Sequence, residues 1–303
     1  MNLRELEYLV AVDEERHFHK AAERCFVSQP TLSGQLKKLE QELGVLLVER
    51  STRQVVMTEV GSAVARQARE LLAGVRQIRD LAASYHDPMA GQLHLGLIPT
   101  VAPYLLPIMM PALNKQYPQM KMWLHEQQTS VLLKMLRQAE LDLLILALPV
   151  ETDEFSELQL YDEPFQLALS RNEPLARQKM ISLAELGEHE MLLLEEGHCL
   201  RKQALDVCFM AGARENTAFH ASSLETLRHM VGEGMGMTLM PELAVPAKSG
   251  RSDPIQYLPF NDPKPTRAIG MLYRKGSYRE KTFINIQKSI QVSIDVRSVI
   301  KGK

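Results

Sequence analysis

Residues 21–50 read AAERCFVSQPTLSGQLKKLEQELGVLLVER, and this stretch decides the N-terminal fold. Ser28 belongs to the residue types that cap helix N-termini, and Pro30, two positions on, is tolerated in a first helical turn. From there Leu32, Leu36, Leu39 and Leu43 recur at steps of four, three and four and line one face of a helix. A shorter helix ahead of it, separated by the turn at Phe26, Val27 and Ser28, completes a helix-turn-helix layout. Pro30, Thr31, Ser33, Gly34, Lys37 and Lys38 point away from the leucine face, which leaves a polar surface able to enter a groove of double-stranded DNA. Gln29, Thr31 and Ser33, flanked by Gln35, offer hydrogen-bonding groups suited to base edges; Lys37, Lys38, Arg50 and Arg53 suit phosphates. Between Arg16 and Thr58 stand seven Lys/Arg against four Asp/Glu. That excess of three also fits a solvated helix surface, so charge alone does not carry the DNA reading.

Outward from this stretch, residues 3 to 50 read as short amphipathic helices, and STRQVVMT supplies a β ribbon from Val55 to Thr58, making a winged module. Thr58 is an N-cap candidate for a long helix in which Val64, Ala68, Leu71, Val75, Ile78, Ala82 and Tyr85 alternate steps of four and three. Such a seam predicts a two-helix dimer. HDPMAG, residues 86 to 91, breaks the helix and reads as a hinge. Beyond it QLHLGLI, MKMWLHE and LDLLILAL alternate with helices, a βαβαβ pattern that implies a parallel sheet. FQLALS, EMLLLEE, FHAS, GMTLM, QYLPF and AIGMLYR supply the strands of a second half, with one helix from Ser222 and a closing helix after Tyr278. The expected division is a DNA-binding domain over 1–58, a linker helix over 59–87 and a two-lobed α/β effector domain over 88–303, with a ligand cleft between its lobes.

A chain of 303 residues has room for two or three such units, and a net charge of −2 excludes gross attraction to nucleic acid or membrane. The N-terminus MNLRELEYLVAVDEERHF interrupts its apolar residues with charges, so it reads as neither signal peptide nor membrane span, and the expected address is the cytoplasm. Three cysteines cannot all pair, and reducing cytosol disfavours structural bridges. No motif for a metal, a nucleotide or a serine nucleophile is present, so no cofactor is expected. Cys25, on the first helix of the helix-turn-helix pair, reads as core packing.

The stretch over residues 21–50 closely resembles the N-terminal signature of the LysR-type transcriptional regulators. Val48 stands where that family commonly has Phe. Thr31 and Gly34 depart from its commonest pattern and are similar instead to the OxyR branch, the hydrogen peroxide sensors. LGLIPTVAPYLLP, LHEQQT, EEGHCLRKQALDVCF and SSLETLRHMV resemble the effector domain of that branch, and the resemblance weakens only after about residue 275. It implies a winged helix-turn-helix, a dimerising linker helix, a periplasmic-binding-protein-like effector domain and a homotetramer built as a dimer of dimers. It also implies an activator that works with RNA polymerase and is no enzyme. By the same resemblance Cys199 is the peroxide-reactive thiol and Cys208 the resolving one. Thr100, Thr129, His125 and His198 then line the site together with Arg267, and a thioredoxin-type or glutaredoxin-type reductant reverses the reaction.

The residues give this chemistry a physical basis. Attack on a peroxide bond needs a thiolate, favoured at helix N-termini and near cations. Cys199 is expected to open a helix with His198, Arg201 and Lys202 close by, against the opposing effect of Glu195 and Glu196. Cys208 lies in VCFMA, an apolar setting that keeps a thiol protonated. Nine helical positions separate Cα atoms by roughly 13 Å, whereas a disulfide needs about 4.4 to 6.8 Å. A bond between them therefore requires a helical segment to unwind. Thr100 follows the first effector strand and Thr129 opens the second effector helix, so both hydroxyls are expected at helix N-termini, with His125 ending the strand between them. Two other readings stay open: a LysR-type regulator answering to a small organic anion in the lobe cleft, and a thiol peroxidase.

Overall fold

The computed structural model describes residues 1–50, 55–86, 91–187, 189–246 and 253–301. They divide into two compact units, one built on Met1–His86 and one on Asp87–Arg137 and Leu141–Lys303. The first unit contains α1 (Leu3–Glu15), α2 (Phe18–Arg24), α3 (Gln29–Leu43), a ribbon of β1 (Val48–Arg50) and β2 (Val55–Met57), and α4 (Glu59–His86). Ser28 caps α3 by accepting the Thr31 N–H, with Pro30 in the first turn. Leu32, Leu36 and Leu39 are fully buried against Leu6, Leu9 and Val12 of α1. Leu43 departs from the expected leucine face: it stands 38% exposed, because the last turn of α3 runs past the core. The buried Glu40 carboxylate accepts from Leu47 N (3.0 Å) and Val48 N (3.1 Å), which turns the chain into the wing.

Phe26 occupies a conformation that favours glycine. Its φ is 55°, and its N–H bonds Glu23 O while Val27 N–H reaches back to Ala22 O, the paired bonds that close a helix C-terminus. The ring is 95% exposed and gains nothing from packing. Phe26→Gly is therefore expected to stabilise the DNA-binding domain by about 1 kcal/mol, the cost of a side chain in the left-handed region. Thermal unfolding of the variant checks it: a lowered melting temperature contradicts the strain argument.

Thr58 caps α4, accepting from Gly61 N at 2.8 Å. The seam is only partly as expected. Ala68 is buried and Val64 half-buried in the same core as α1, and Arg69 pairs with Asp13 and Glu14, so the first turns of α4 serve their own domain. Farther along, Leu71 and Ile78 stand exposed, Ile78 by 69%. The expected hinge falls mostly on residues 87–90, outside the described residues.

In the second unit β3 (Gly91–Leu97), α5 (Ala102–Gln116), β4 (Met120–Glu126), α6 (Thr129–Arg137) and β5 (Leu143–Leu148) form the βαβαβ start, with β3 parallel to β4 and β5. Then come β6 (Phe155–Ser170), β7 (Glu190–Leu194), α7 (Cys199–Ala211), β8 (Arg214–Ala221), α8 (Leu224–Gly232), β9 (Thr238–Pro241), β10 (Ile255–Pro259), β11 (Thr266–Arg274) and α9 (Glu280–Lys301). The expected parallel pairing holds for β3, β4 and β5, but the sheet they belong to is mixed. β11 lies antiparallel between β5 and β6, giving the mixed order β10-β6-β11-β5-β3-β4. FQLALS is only the end of β6, a 16-residue strand whose Pro164 and alternating charges mask its length. Phe155 and Leu160 of β6 belong to the first lobe's core with Leu95 and Ile145, while Phe165, Leu167 and Leu169 belong to the second with Leu193, Leu200 and Val207. One strand thus threads both lobes and holds them on a common frame. Among the described residues no helix is long and apolar enough to cross a membrane.

Candidate functional site

On the DNA-binding unit, Gln29, Pro30, Thr31, Lys37 and Lys38 are exposed, and Ser33 and Gln35 half-buried. Thr31 and Lys38 are among those already engaged. Thr31 Oγ1 lies 2.8 Å from Ser28 Oγ, and Lys38 Nζ lies 3.6 Å from the Glu5 carboxylate. Arg50 closes β1, and Arg53 lies outside the described residues.

The thiol site is built where the lobes meet. β7 leads through Glu195–His198 into α7, and Gly197 sits at φ 95° with the Gln128 side chain where a Cβ would stand, so both backbone and space demand glycine. The segment before the thiol is thereby pressed against the entrance of α6. His198 is the N-cap of α7, buried, and bonds none of the helix amides; its Nε2 lies 4.0 Å from Glu195. Cys199 is the first residue of α7. It is half-buried and packs against the first lobe's core, while Leu200, Ala204, Val207 and Cys208 of the same helix pack into the second. The positive end of the helix dipole falls on its sulfur.

The expected cations lie elsewhere. Arg201 Nη1 donates to Leu194 O (3.0 Å) and meets Glu215 Oε1 at 2.6 Å; the exposed Lys202 pairs with Glu151 at 3.8 Å. The reason is the helix period, which turns Arg201 toward β8. Cys208 is buried, and burial first, then the Glu215 carboxylate, pushes its thiol up to about 11. Both thiols are free, and α7 runs unbroken between them, so the separation of roughly 13 Å applies.

Thr100 does not cap α5. That helix begins at Ala102 with Val101 as its N-cap, and the buried Thr100 is held instead by Arg267 of β11. Arg267 Nη1 donates to Thr100 Oγ1 (3.1 Å) and Nη2 to Thr100 O (3.0 Å). The same guanidinium meets the Glu163 carboxylate of β6 through Nε (2.8 Å) and Nη2 (2.7 Å), and Glu163 Oε1 also accepts from Leu243 N at 2.9 Å. Thr129 opens α6 as expected, but its hydroxyl oxygen is buried and finds no hydrogen-bond partner among the described residues. His125 joins a pair outside this arrangement, its Nε2 3.4 Å from His94 Nδ1, since Gly96 and His125 are register partners on β3 and β4.

Sequence reasoning missed three participants. Gln203 lies one helical turn after Cys199, and its Oε1 is buried without a hydrogen-bond partner among the described residues, as is the hydroxyl of Tyr161 on β6. The period of α7 would have exposed Gln203; Tyr161 and Glu163 carry no local signal, because only the pairing of β6 with β11 brings them to Arg267.

Residues 3–62 match the bacterial regulatory helix-turn-helix protein, lysR family, and residues 86–285 match the LysR substrate binding domain. The DNA-binding transcriptional dual regulator OxyR of Escherichia coli (strain K12) is 48% identical over 295 residues, 97% of this chain and 96% of that protein. Full-length OxyR of Pseudomonas aeruginosa with a cysteine-to-aspartate substitution superposes with a TM-score of 0.77 at 38% identity, covering 96% of this chain and 95% of that one. A hydrogen peroxide-bound cysteine-to-serine mutant of Corynebacterium glutamicum OxyR gives a TM-score of 0.69 at 33% identity, covering 99% and 95%. A helix-turn-helix with an exposed polar face, joined in one chain to a two-lobed domain with a thiol at the lobe junction, agrees with all of these: the chain belongs to the LysR family, in its OxyR group of peroxide-sensing transcription regulators.

Proposed function

We propose that Cys199 is the thiol that reacts with hydrogen peroxide and that Cys208 resolves the product. The Cys199 thiolate attacks one peroxide oxygen, the O–O bond breaks, and the departing hydroxide leaves as water on gaining a proton, giving a sulfenic acid. The Cys208 sulfur then attacks the Cys199 sulfur. The S–O bond breaks, and the thiol proton leaves with the hydroxyl group as water. Two thiols of a thioredoxin-type or glutaredoxin-type reductant reverse the bond. The bond cannot form with α7 intact, so oxidation remodels the second lobe, and a covalent event drives a two-state element.

The observation that carries this reading is the place of Cys199, at the positive end of α7 and against the opposite lobe. One helical turn along α7 and at the start of α6, the oxygens of Gln203 and Thr129, unpartnered among the described residues, suit a small ligand that both donates and accepts hydrogen bonds, as peroxide does. Arg267 also argues against a free organic anion as effector, because Glu163 already neutralises it.

The domain roles follow: residues 1–58 bind operator DNA, 59–87 pair two copies through the exposed part of the α4 seam, and 88–303 sense. Two such dimers make the tetramer that acts with RNA polymerase, in the cytoplasm, and each chain consumes peroxide once per switching event. The deciding experiment maps cysteine-containing peptides without reductant after equimolar peroxide, with a DNA footprint on the same sample. A Cys199–Cys208 disulfide with an altered footprint is expected; two free thiols contradict the reading, and sustained peroxide consumption points to a peroxidase.

Thr129→Val separates ligand binding from structure. Removing a buried hydroxyl that has no partner among the described residues should leave stability unchanged or raise it by up to about 1 kcal/mol. The peroxide reaction should slow by about tenfold or more, one lost hydrogen bond to the transition state. An unchanged rate, measured by stopped flow, removes Thr129 from the site.

A further inference from the structure

A switch of this kind needs something that holds α7 helical until oxidation and releases it afterwards. A helix of 13 residues is too short to be stable alone. The N-cap of α7 makes no side-chain bond to its amides, and its first turn holds no acidic residue to complement the dipole. Besides the burial of Leu200 and the packing of Cys199, what fastens that turn is Arg201. Its side chain is mostly buried and reaches back to Leu194 O at the end of β7 and across to Glu215 on β8. Since β7 and β8 pair in parallel, the two contacts bind the start of α7 to both strands of this small sheet. Glu215 Oε1 also meets the His220 ring at 3.2 Å.

Arg201 and Cys208 are seven positions apart, two turns of helix, and so share the face of α7 that looks toward Glu215. One carboxylate therefore faces both halves of the switch. It grips the first turn through Arg201, and it adds to burial in keeping the Cys208 thiol protonated. The sulfurs cannot meet until α7 unwinds between them, and unwinding must carry Arg201 off Glu215 or drag β8 with it.

We propose that Glu215 is a positioning residue of the redox switch: by clamping Arg201 it sets the rate of disulfide closure and the reduction potential of the Cys199–Cys208 couple, without taking part in the reaction with peroxide. The proposal rests on the disulfide reading above. The reduced helix is the form the clamp favours, so removing the clamp favours the oxidised form.

The test uses the full chain and compares wild type with Glu215→Gln, Arg201→Gln and the double variant. Consumption of the first peroxide equivalent is expected to keep its wild-type rate in Glu215→Gln. Closure of the disulfide, followed by quenching and mapping, is expected to accelerate about tenfold. The potential, measured by equilibration with glutathione, is expected to become about 30 mV more negative, which is tenfold for a two-electron couple. Arg201→Gln should also speed closure and lower the potential, though by less, because it leaves Glu215 facing the Cys208 thiol, and the double variant should do no more than Glu215→Gln alone. General loosening of the lobe would add up instead. Unchanged closure rate and potential in Glu215→Gln, or additive effects in the double variant, overturn the clamp while leaving the disulfide reading intact. A wild-type chain that forms no Cys199–Cys208 disulfide overturns both.

Discussion

Cys199→Ser should abolish the response to hydrogen peroxide while leaving the fold and the DNA binding of the reduced chain in place. The hydroxyl is a far weaker nucleophile than a thiolate, because its proton is held at any working pH, so the positive end of α7 has no anion to present. The same substitution is structurally mild. Cys199 is only half-buried at the first position of a helix, and serine is nearly isosteric, so stability should change by less than about 1 kcal/mol. Thermal unfolding, operator binding and single-turnover peroxide consumption on one preparation separate these effects. A variant that binds DNA normally and still changes its footprint with peroxide places the sensing chemistry elsewhere. Cys208→Ala makes a different prediction: the first peroxide equivalent is still consumed, but the product stops as a sulfenic acid and α7 has no covalent reason to unwind.

The contrast between these thiols was legible in the sequence because both depend on local pattern. Glycine and histidine after a strand place Cys199 at a helix start, and an apolar neighbourhood buries Cys208. The helix-turn-helix was legible for the same reason, down to the Ser28 cap, since leucine spacing and capping chemistry act within one turn. What failed was nonlocal. Arg201 was expected beside the thiol because it is two residues away, yet helical rotation sends it to Glu215, 14 positions later on a neighbouring strand. Thr100 was expected to cap a helix, yet its hydroxyl is held by Arg267, 167 positions away. The mixed sheet was missed because β11, the strand that inserts antiparallel between β5 and β6, is the last strand in the chain and lies beside strands far earlier in sequence. Such pairings are made by topology, and no window of sequence contains both partners.

Glu163→Gln should destabilise the effector domain by about 3–5 kcal/mol and should also slow the peroxide reaction. Both oxygens of Glu163 are engaged, with Arg267 on one and Leu243 N on the other, and both charged side chains are almost fully buried. An amide keeps the shape but not the charge, so a guanidinium is left in the interior without its counter-ion. In a domain of this size the loss should lower the melting temperature by about 10 °C. The second effect follows from the first, because Arg267 fixes both the hydroxyl and the carbonyl of Thr100. Replacing the pair together, Glu163→Leu with Arg267→Met, distinguishes the two roles. An apolar pair of similar volume should recover most of the lost stability, since desolvating two charges offsets much of their attraction. It should not recover the peroxide rate, because nothing then orients Thr100. Recovery of both would mean that the ion pair serves the fold alone. Recovery of stability without rate would mean that the second lobe's crossing strands carry a charge into the core for the sake of one threonine.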